Sequence, residues 1–391
     1  MKILVICQYY SPEPFRIADI CEAFVEEGNE VDVITSFPNY PMGEIYEGYK
    51  NGEHKDEPIN GVNVHRVFTI GRKTGAIYRF INYFTYSFAS TLYVSRLKKE
   101  YDVVFVYQLS PVMMANAALK YKKKHGKKVV LYCLDLWPES LCIGGIKRGG
   151  LIYKIFEKIS LMIYKSSDKI LVSSKTFKKY FGEKYGFDES EIVYLPQHAE
   201  CFFENVTPRE NKVINLTFAG NIGFAQDIGT IIKTAEILKN ENICFNIVGD
   251  GTELETARRT AESLNLKNVV FHGRLPVEKM PELYASSDAM LVTLSADSVI
   301  SMTLPGKVQS YMAAGKPIIG AINGETAEII KEAECGFCAQ AENPEMLAKK
   351  IREFINSDRI QLGRNAHSYY EKNFRKEKFV EVIIKEFEKQ I

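Results

Sequence analysis

The residues best suited to chemistry lie in short segments that follow apolar, strand-like runs. After Val129–Cys133 comes Leu134-Asp135-Leu136-Trp137-Pro138-Glu139, with the only tryptophan, two carboxylates and a turn-forming proline. A carboxylate in such a place can act as a base or orient a sugar hydroxyl. Ser11–Arg16 follows the first strand-like run and Ser36–Pro41 the second, so Pro12, Glu13, Arg16, Asn39 and Tyr40 fall on the same edge. In the second half, Ala219-Gly220-Asn221-Ile222-Gly223 leads from a strand into a helix beginning near Asp227. Glycines there admit a ligand to the backbone, a helix N-terminus favours phosphate, and Asn221 and Gln226 add neutral hydrogen bonds. Gly249-Asp250-Gly251 repeats that setting. Leu254 stands where a dinucleotide fingerprint needs its third glycine, so a nicotinamide enzyme ranks last. Gly273-Arg274-Leu275 offers a flat backbone for a base and a guanidinium for phosphate. Leu304-Pro305-Gly306-Lys307 puts a cation in the first turn of a helix, which is unfavourable unless an anion sits there too. Each loop alone is also what a turn requires; the combination points to a site.

The elements that must position these loops alternate between apolar runs and amphipathic helical stretches. Strands are expected at Ile3–Cys7, Glu30–Thr35, Val62–Phe68, Val103–Tyr107, Val129–Cys133, Lys169–Ser173 and Ile192–Leu195. A second series comprises Ile214–Ala219, Cys244–Val248, Val269–His272, Ala289–Thr293, Pro317–Ala321 and Gly336–Ala339. Alternation of this kind means parallel sheets covered on both faces, and ligands then bind beyond the carboxyl ends of the strands. The series is interrupted at Gln197–Asn211, a polar segment that reads as a linker. The fold class expected is α/β: two doubly wound, Rossmann-like domains, 1–200 and 212–367, facing a central cleft, with a last helix over 368–391 packing back on the first.

Composition narrows the function classes. The chain has 391 residues and a formal charge of +1, with +4 over residues 1–200 and −3 over the remainder. That balance gives no general attraction to nucleic acid. Eight scattered cysteines, and a first strand with no signal-like leader before it, suggest a cytoplasmic protein with reduced thiols. The one CxxC, Cys335–Cys338, follows a helical stretch and reads as packing. No Asp-x-Asp, Walker A sequence or clustered histidines are present, so no metal and no cofactor is expected. Phe80–Ser95 is sixteen residues without a charge, rich in aromatic rings and bracketed by Arg79 and Arg96. With Arg72, Lys73, Lys98 and Lys99 nearby, residues 72–99 read either as a buried helix or as a peripheral contact with an anionic membrane.

In combination and order these segments resemble the two-lobed (GT-B) glycosyltransferases of family 4, in particular the O-antigen and capsule branch typified by the L-fucosamine (L-FucNAc) transferases. The resemblance spans nearly the whole chain, through Tyr9–Glu13, Arg16, Pro38–Pro41, Asp135–Leu141, Leu195–Glu200, Ala219–Gln226, Gly249–Gly251, Gly273–Pro276 and Pro305–Pro317. It implies a retaining, metal-independent enzyme that moves a sugar from a UDP-sugar to a polyprenyl-diphosphate-linked saccharide at the inner face of the membrane. The transferred sugar would be an N-acetylated amino or deoxy sugar. By the same resemblance Gly220, Asn221, Gly223, Gln226, Gly249, Asp250, Gly251, Arg274, Leu275, Pro305 and Ser310 bind the donor, and Lys307 steadies the leaving diphosphate. Asp135 and Glu139 orient sugars. Pro12, Glu13, Arg16, Asn39 and Tyr40 hold the acceptor. Met302 and Ser310 stand where the wider family carries two glutamates, the second of which grips the nucleotide ribose. Two other readings stay open on the residues: a UDP-sugar 2-epimerase of the same architecture, which turns over without an acceptor, and a non-catalytic sugar-nucleotide-binding subunit.

Overall fold

Buried apolar runs and amphipathic stretches arrange themselves as two α/β units in a computed structural model of the chain, which describes residues 1–73, 75–297 and 299–391. One unit comprises Met1–Leu195 together with Val380–Ile391, and the other Pro196–Phe379.

In the first unit the strands are β1 (Lys2–Ile6), β2 (Glu30–Ser36), β3 (Asp56–Ile59), β4 (Val62–Val67), β5 (Val103–Gln108), β6 (Lys128–Cys133), β7 (Lys169–Val172) and β8 (Val193–Tyr194). They form one sheet in the order β3-β4-β2-β1-β5-β6-β7-β8. All pairs are parallel except β3 with β4. Ile3–Ile6 and Val103–Val106 are fully buried, as central strands covered on both faces must be. The chain reverses direction across the sheet between β1 and β5, so the loops after β1, β2, β5 and β6 gather where parallel sheets bind ligands. The antiparallel edge strand β3, with Pro58 at its centre, is additional to the expected set.

In the second unit β9 (Ile214–Ala219), β10 (Ile243–Val248), β11 (Val269–Gly273), β12 (Ala289–Thr293), β13 (Ile318–Ala321) and β14 (Gly336–Ala339) make an all-parallel sheet in the order β11-β10-β9-β12-β13-β14. Apolar clusters cover both of its faces, one around Ile231, Phe245 and Ile351 and the other around Phe203, Tyr311 and Tyr370. The polar segment after Pro196 is less detached than its composition suggests: Ala199 and Phe203 are buried in the second cluster, and Phe203 stacks on Tyr284 at 4.7 Å.

The single closing helix expected from residue 368 is two helices, Arg359–Asn373 and Lys376–Glu388. Its last part belongs to the first unit, where Phe387 meets Phe24 and Phe105 at 5.6 and 5.5 Å between ring centroids. Among the described residues no helix is long and apolar enough to cross a membrane.

Candidate functional site

The loops after β1, β2, β5 and β6 enclose a cavity of about 310 Å³ in the first unit. Tyr9, Phe15, Tyr40, Phe80, Tyr83 and Trp137 give it an aromatic lining, and Arg72, Arg79 and Asp135 its charge. Tyr9 stacks on Phe15 at 4.9 Å with Tyr40 tilted against both, and the Arg72 guanidinium lies 5.6 Å above the Tyr40 ring.

Asp135 is fixed by Ser110, whose backbone N–H and hydroxyl donate to Oδ2 at 2.9 and 2.8 Å. The Trp137 indole in turn donates to the Ser110 hydroxyl at 2.9 Å. Burial raises the Asp135 pKa above its ordinary value, with the two Ser110 bonds opposing it. Both bonds fall on one oxygen, leaving Oδ1 for the cavity.

Two residues expected beside Asp135 and Tyr40 serve elsewhere. Glu139 is 4% exposed and absent from the cavity wall. It accepts from Tyr153, Tyr180 and Lys184 at 2.6, 3.0 and 3.0 Å and pairs with Arg148 at 3.0 Å. Burial alone would raise its pKa; the donors from Tyr153, Lys184 and Tyr180 outweigh it and hold the carboxyl below its usual value. All three hydrogen bonds fall on Oε1, and Oε2 meets only Arg148, so the buried carboxylate ties helices together away from the cavity. Glu13, 3% exposed, receives the backbone N–H groups of Tyr10, Asn39 and Tyr40 at 3.3, 2.9 and 2.7 Å. Burial drives its pKa up to about 7 against those three bonds. It stitches the loop after β1 to the loop after β2 and thereby sets the Tyr40 ring. Asn39 is fully buried, and its Oδ1 accepts the Arg72 backbone N–H at 3.2 Å. Pro12 and Arg16 are not among the wall residues; Arg16 opens the helix Ile17–Glu26. Of the five residues assigned to the acceptor, only Tyr40 faces the cavity. Arg72 and Arg79, read as membrane contacts, line it as well.

In the second unit the loops after β9 and β10 are locked together. Ile222 N–H donates to the Asp250 carbonyl and Glu253 N–H to the Ile222 carbonyl, both at 2.9 Å. A Cβ on Gly249 (φ +139°) would lie 1.8 Å from the Gly220 carbonyl oxygen, and one on Gly251 (φ +155°) 2.3 Å from that of Ile222. These two glycines therefore allow backbone to meet backbone, a role distinct from touching a ligand. The Gln226 side chain closes the first loop, accepting from Asn221 Nδ2 at 3.1 Å and Gly223 N–H at 3.3 Å. Asp227 (φ +41°) caps the helix Ile228–Ile237, and its carboxylate opposes the anion expected at that N-terminus.

Positive charge comes instead from the helix Gly306–Ala313, capped by Pro305. Its Lys307 ammonium lies 4.0 Å from the centroid of the Phe218 ring of β9, and a Cβ on Gly220 would come within 2.6 Å of Nζ. Lys307 Nζ is sealed from solvent and has no hydrogen-bond partner among the described residues. Burial lowers its pKa to about 7. One turn further on, the Ser310 hydroxyl donates to Glu200 Oε2 at 2.8 Å, bringing in a carboxylate from the segment after β8. Arg274 is exposed, and Leu275 packs against the second apolar cluster. No group of three or more His, Cys, Asp or Glu able to hold a metal occurs among the described residues.

Comparison with known proteins gives this architecture a class. Residues 16–197 match Glycosyltransferase Family 4 and residues 202–387 match Glycosyl transferases group 1. The chain is a glycosyltransferase built on two Rossmann-like units of the GT-B type, its first unit of family 4 and its second of group 1. Among its relatives is WbjE of Pseudomonas aeruginosa, named as a glycosyltransferase, 28% identical over 67% of this chain and 68% of WbjE. WcaI of Escherichia coli (strain K12), named for glycosyl transfer in colanic acid biosynthesis, is 23% identical over 91% of this chain and 92% of its own. Anabaena Alr3699/HepE, solved in complex with UDP, superposes with a TM-score of 0.72 at 13% identity, with full coverage of both chains.

Proposed function

We propose that the enzyme transfers a sugar from a UDP-sugar to a polyprenyl-diphosphate-linked saccharide in surface polysaccharide biosynthesis, with retention and without a metal. The observation that carries the donor half is the sealed, unpartnered Lys307 ammonium at a helix start beside the Gly220 loop. A buried cation of this kind is costly unless an anion completes it, and a nucleotide diphosphate is such an anion. The solved Anabaena neighbour carries UDP, and WcaI is named for a polysaccharide; both support the reading. As the glycosidic bond breaks, charge grows on the leaving diphosphate, where Lys307 and the helix N-terminus stabilise it. That diphosphate takes the proton of the attacking hydroxyl on the same face of the sugar, while Asp135 Oδ1 orients the acceptor. In this reading Ser310, hydrogen-bonded to Glu200, is assigned to the nucleoside side of the donor. Within the family, the L-FucNAc-transferase-like branch and an N-acetylated amino or deoxy sugar remain our preferred assignment.

The acceptor's lipid implies work at the cytoplasmic membrane surface. Residues 58–99 contain no acidic residue. The helix Ala76–Arg96 exposes Ile77, Phe84, Phe88 and Leu92, and its neighbour Leu151–Ser166 exposes Leu151, Ile155 and Met162. Phe80 and Phe84 meet Phe156 across the pair at 6.1 and 6.5 Å, so one apolar face spans both helices. Exposed Lys154, Lys158 and Lys165 lie along the second helix. Apolar area with lysines suits an anionic bilayer surface.

Thermal-shift measurement with UDP-, GDP-, ADP- and TDP-sugars tests the donor, since a ligand of the native state raises the melting temperature by mass action. A rise confined to the UDP series is expected. A preference for another nucleotide would overturn the assignment.

A further inference from the structure

The first-unit cavity carries charge that a neutral sugar does not need. Two arginines, Arg72 and Arg79, line it against one carboxylate, and that carboxylate is already held by Ser110. Arg72 makes no ion pair within 4.0 Å among the described residues; its guanidinium rests on the Tyr40 ring and interacts with the Tyr9 side chain. A half-buried guanidinium whose nearest carboxylate lies beyond ion-pair distance loses hydration that an anionic ligand would restore.

The approach of Arg72 to the cavity is also built rather than incidental. Its backbone N–H is held by Asn39 Oδ1 at 3.2 Å, and Asn82 Nδ2 reaches that same oxygen at 3.4 Å. Asn82 further donates to the Ile70 carbonyl at 2.7 Å and accepts from Gln8 Nε2 at 2.7 Å. Gln8, Asn39 and Asn82 are all fully buried. A ladder of three buried amides thus anchors the segment that delivers Arg72, a type of investment that buried polar networks make when one geometry must be held.

We infer that this cavity is an anion subsite of the acceptor, with Arg72 and Arg79 clasping a phosphate or carboxylate while a sugar ring lies against the aromatic wall beside Asp135. Arginine forks match both anions bidentately. At about 310 Å³ the cavity is at the small end for ligand sites, enough for one sugar and one charged group. Its wall includes Arg79 and Phe80 of the helix Ala76–Arg96, which exposes Ile77, Phe84 and Phe88. A hydrocarbon chain leaving the anion would run onto that apolar face, so the diphosphate of a lipid carrier is favoured over the carboxylate of an acidic sugar. This inference rests on the reading of the chain as a transferase with a lipid-linked acceptor.

Trp137 is the only tryptophan and lines the cavity, so its fluorescence reports occupancy in the full-length protein. The probes are geranyl diphosphate, geraniol, glucuronate, and octyl N-acetylglucosaminide as a neutral glycoside. Saturable quenching by geranyl diphosphate, at least tenfold tighter than geraniol, is expected. Arg72→Met and Arg79→Met should each weaken it tenfold or more and leave the neutral glycoside unchanged. Arg72→Lys should recover part of the loss, because charge returns without the fork. Glucuronate binding that outranks geranyl diphosphate, with the same arginine dependence, would place the anion on the sugar and keep the subsite. Arginine variants that bind geranyl diphosphate as wild type does would overturn it. Titration of UDP on the same variants controls for folding. A wild type that binds geranyl diphosphate but no nucleotide would defeat the donor assignment and leave this subsite standing.

Discussion

Replacing Lys307 by methionine should make the unliganded protein more stable and nearly inactive. Methionine keeps the aliphatic stem over Phe218 and removes a charge that burial resists, since Nζ is sealed and unpartnered. In the folded chain the lysine pKa falls from 10.5 to about 7. At about 1.36 kcal/mol per tenfold, with the unfolded lysine fully protonated at pH 7, the cost is on the order of 4 kcal/mol. Between pH 7 and 10.5 the unfolded state binds one more proton than the native state. Wild-type stability therefore rises with pH in that window, and the penalty is complete once pH falls below 7. Lys307→Met should lack this slope and raise the melting temperature of its unit by roughly 10 °C at pH 7. An anion beside the amine restores its proton, so UDP binding to wild type at pH 8 to 9 should take up a proton, visible by calorimetry in two buffers of different ionisation enthalpy. The variant should lose UDP affinity and about a hundredfold or more in transfer rate. A variant no more stable than wild type, keeping the pH slope and binding UDP normally, would refute the reasoning.

Asp135→Asn should lower the transfer rate on the order of a hundredfold. In wild type the rate should decline as pH falls through the raised Asp135 pKa, and Ser110→Ala should move that decline to higher pH, because a hydrogen bond favouring the carboxylate is gone; an unmoved profile would count against the pairing. Glu139→Ala should cost about 1–3 kcal/mol by depriving the buried Tyr153 and Tyr180 hydroxyls of their acceptor, while Lys184 keeps Glu157, with KM values unchanged in the folded fraction, as denaturant melts and kinetics together would show. Because the folded Glu139 pKa lies below 4.5, its contribution is complete above that value and fades as pH falls through the lowered one. Single-turnover transfer should survive excess EDTA, and a collapse rescued by Mg²⁺ or Mn²⁺ would put a metal on the diphosphate. Phe88→Glu with Leu151→Glu should abolish flotation with anionic liposomes, and equal recovery of wild type and variant would remove the membrane face.

The sheets were legible because their signals are local. The central strands, such as Ile3–Ile6 and Val103–Val106, are runs of apolar residues buried on both faces, and the break after Leu195 is a change in composition. β3 escaped because an edge strand of Asp56-Glu57-Pro58-Ile59 lacks that signature. Lys307 could be found from sequence because a cation in the first helical turn is anomalous on its own. Glu139 could not be sorted from Asp135, since its partners Tyr153, Tyr180 and Lys184 lie 14, 41 and 45 residues away. Arg72 looked like one more cation near an aromatic helix, and only the Asn39–Asn82 contacts reveal where it is directed. The closing helix broke near Phe374 with neither proline nor glycine to announce it.

The membership of Val380–Ile391 in the first unit bears on how the chain is made. On a ribosome the touching rings of Phe24 and Phe105 are synthesised early, while Phe387, which packs against both, emerges only after every residue of the second unit. Vectorial synthesis thus leaves the first unit waiting, its sheet formed but one apolar seam open, until residues 380–391 have been made. A nascent chain stalled before residue 380 would present that seam to chaperones, although all eight strands of the first sheet had already been made. Loss of residues 380–391 would then be felt as a folding lesion in the first unit.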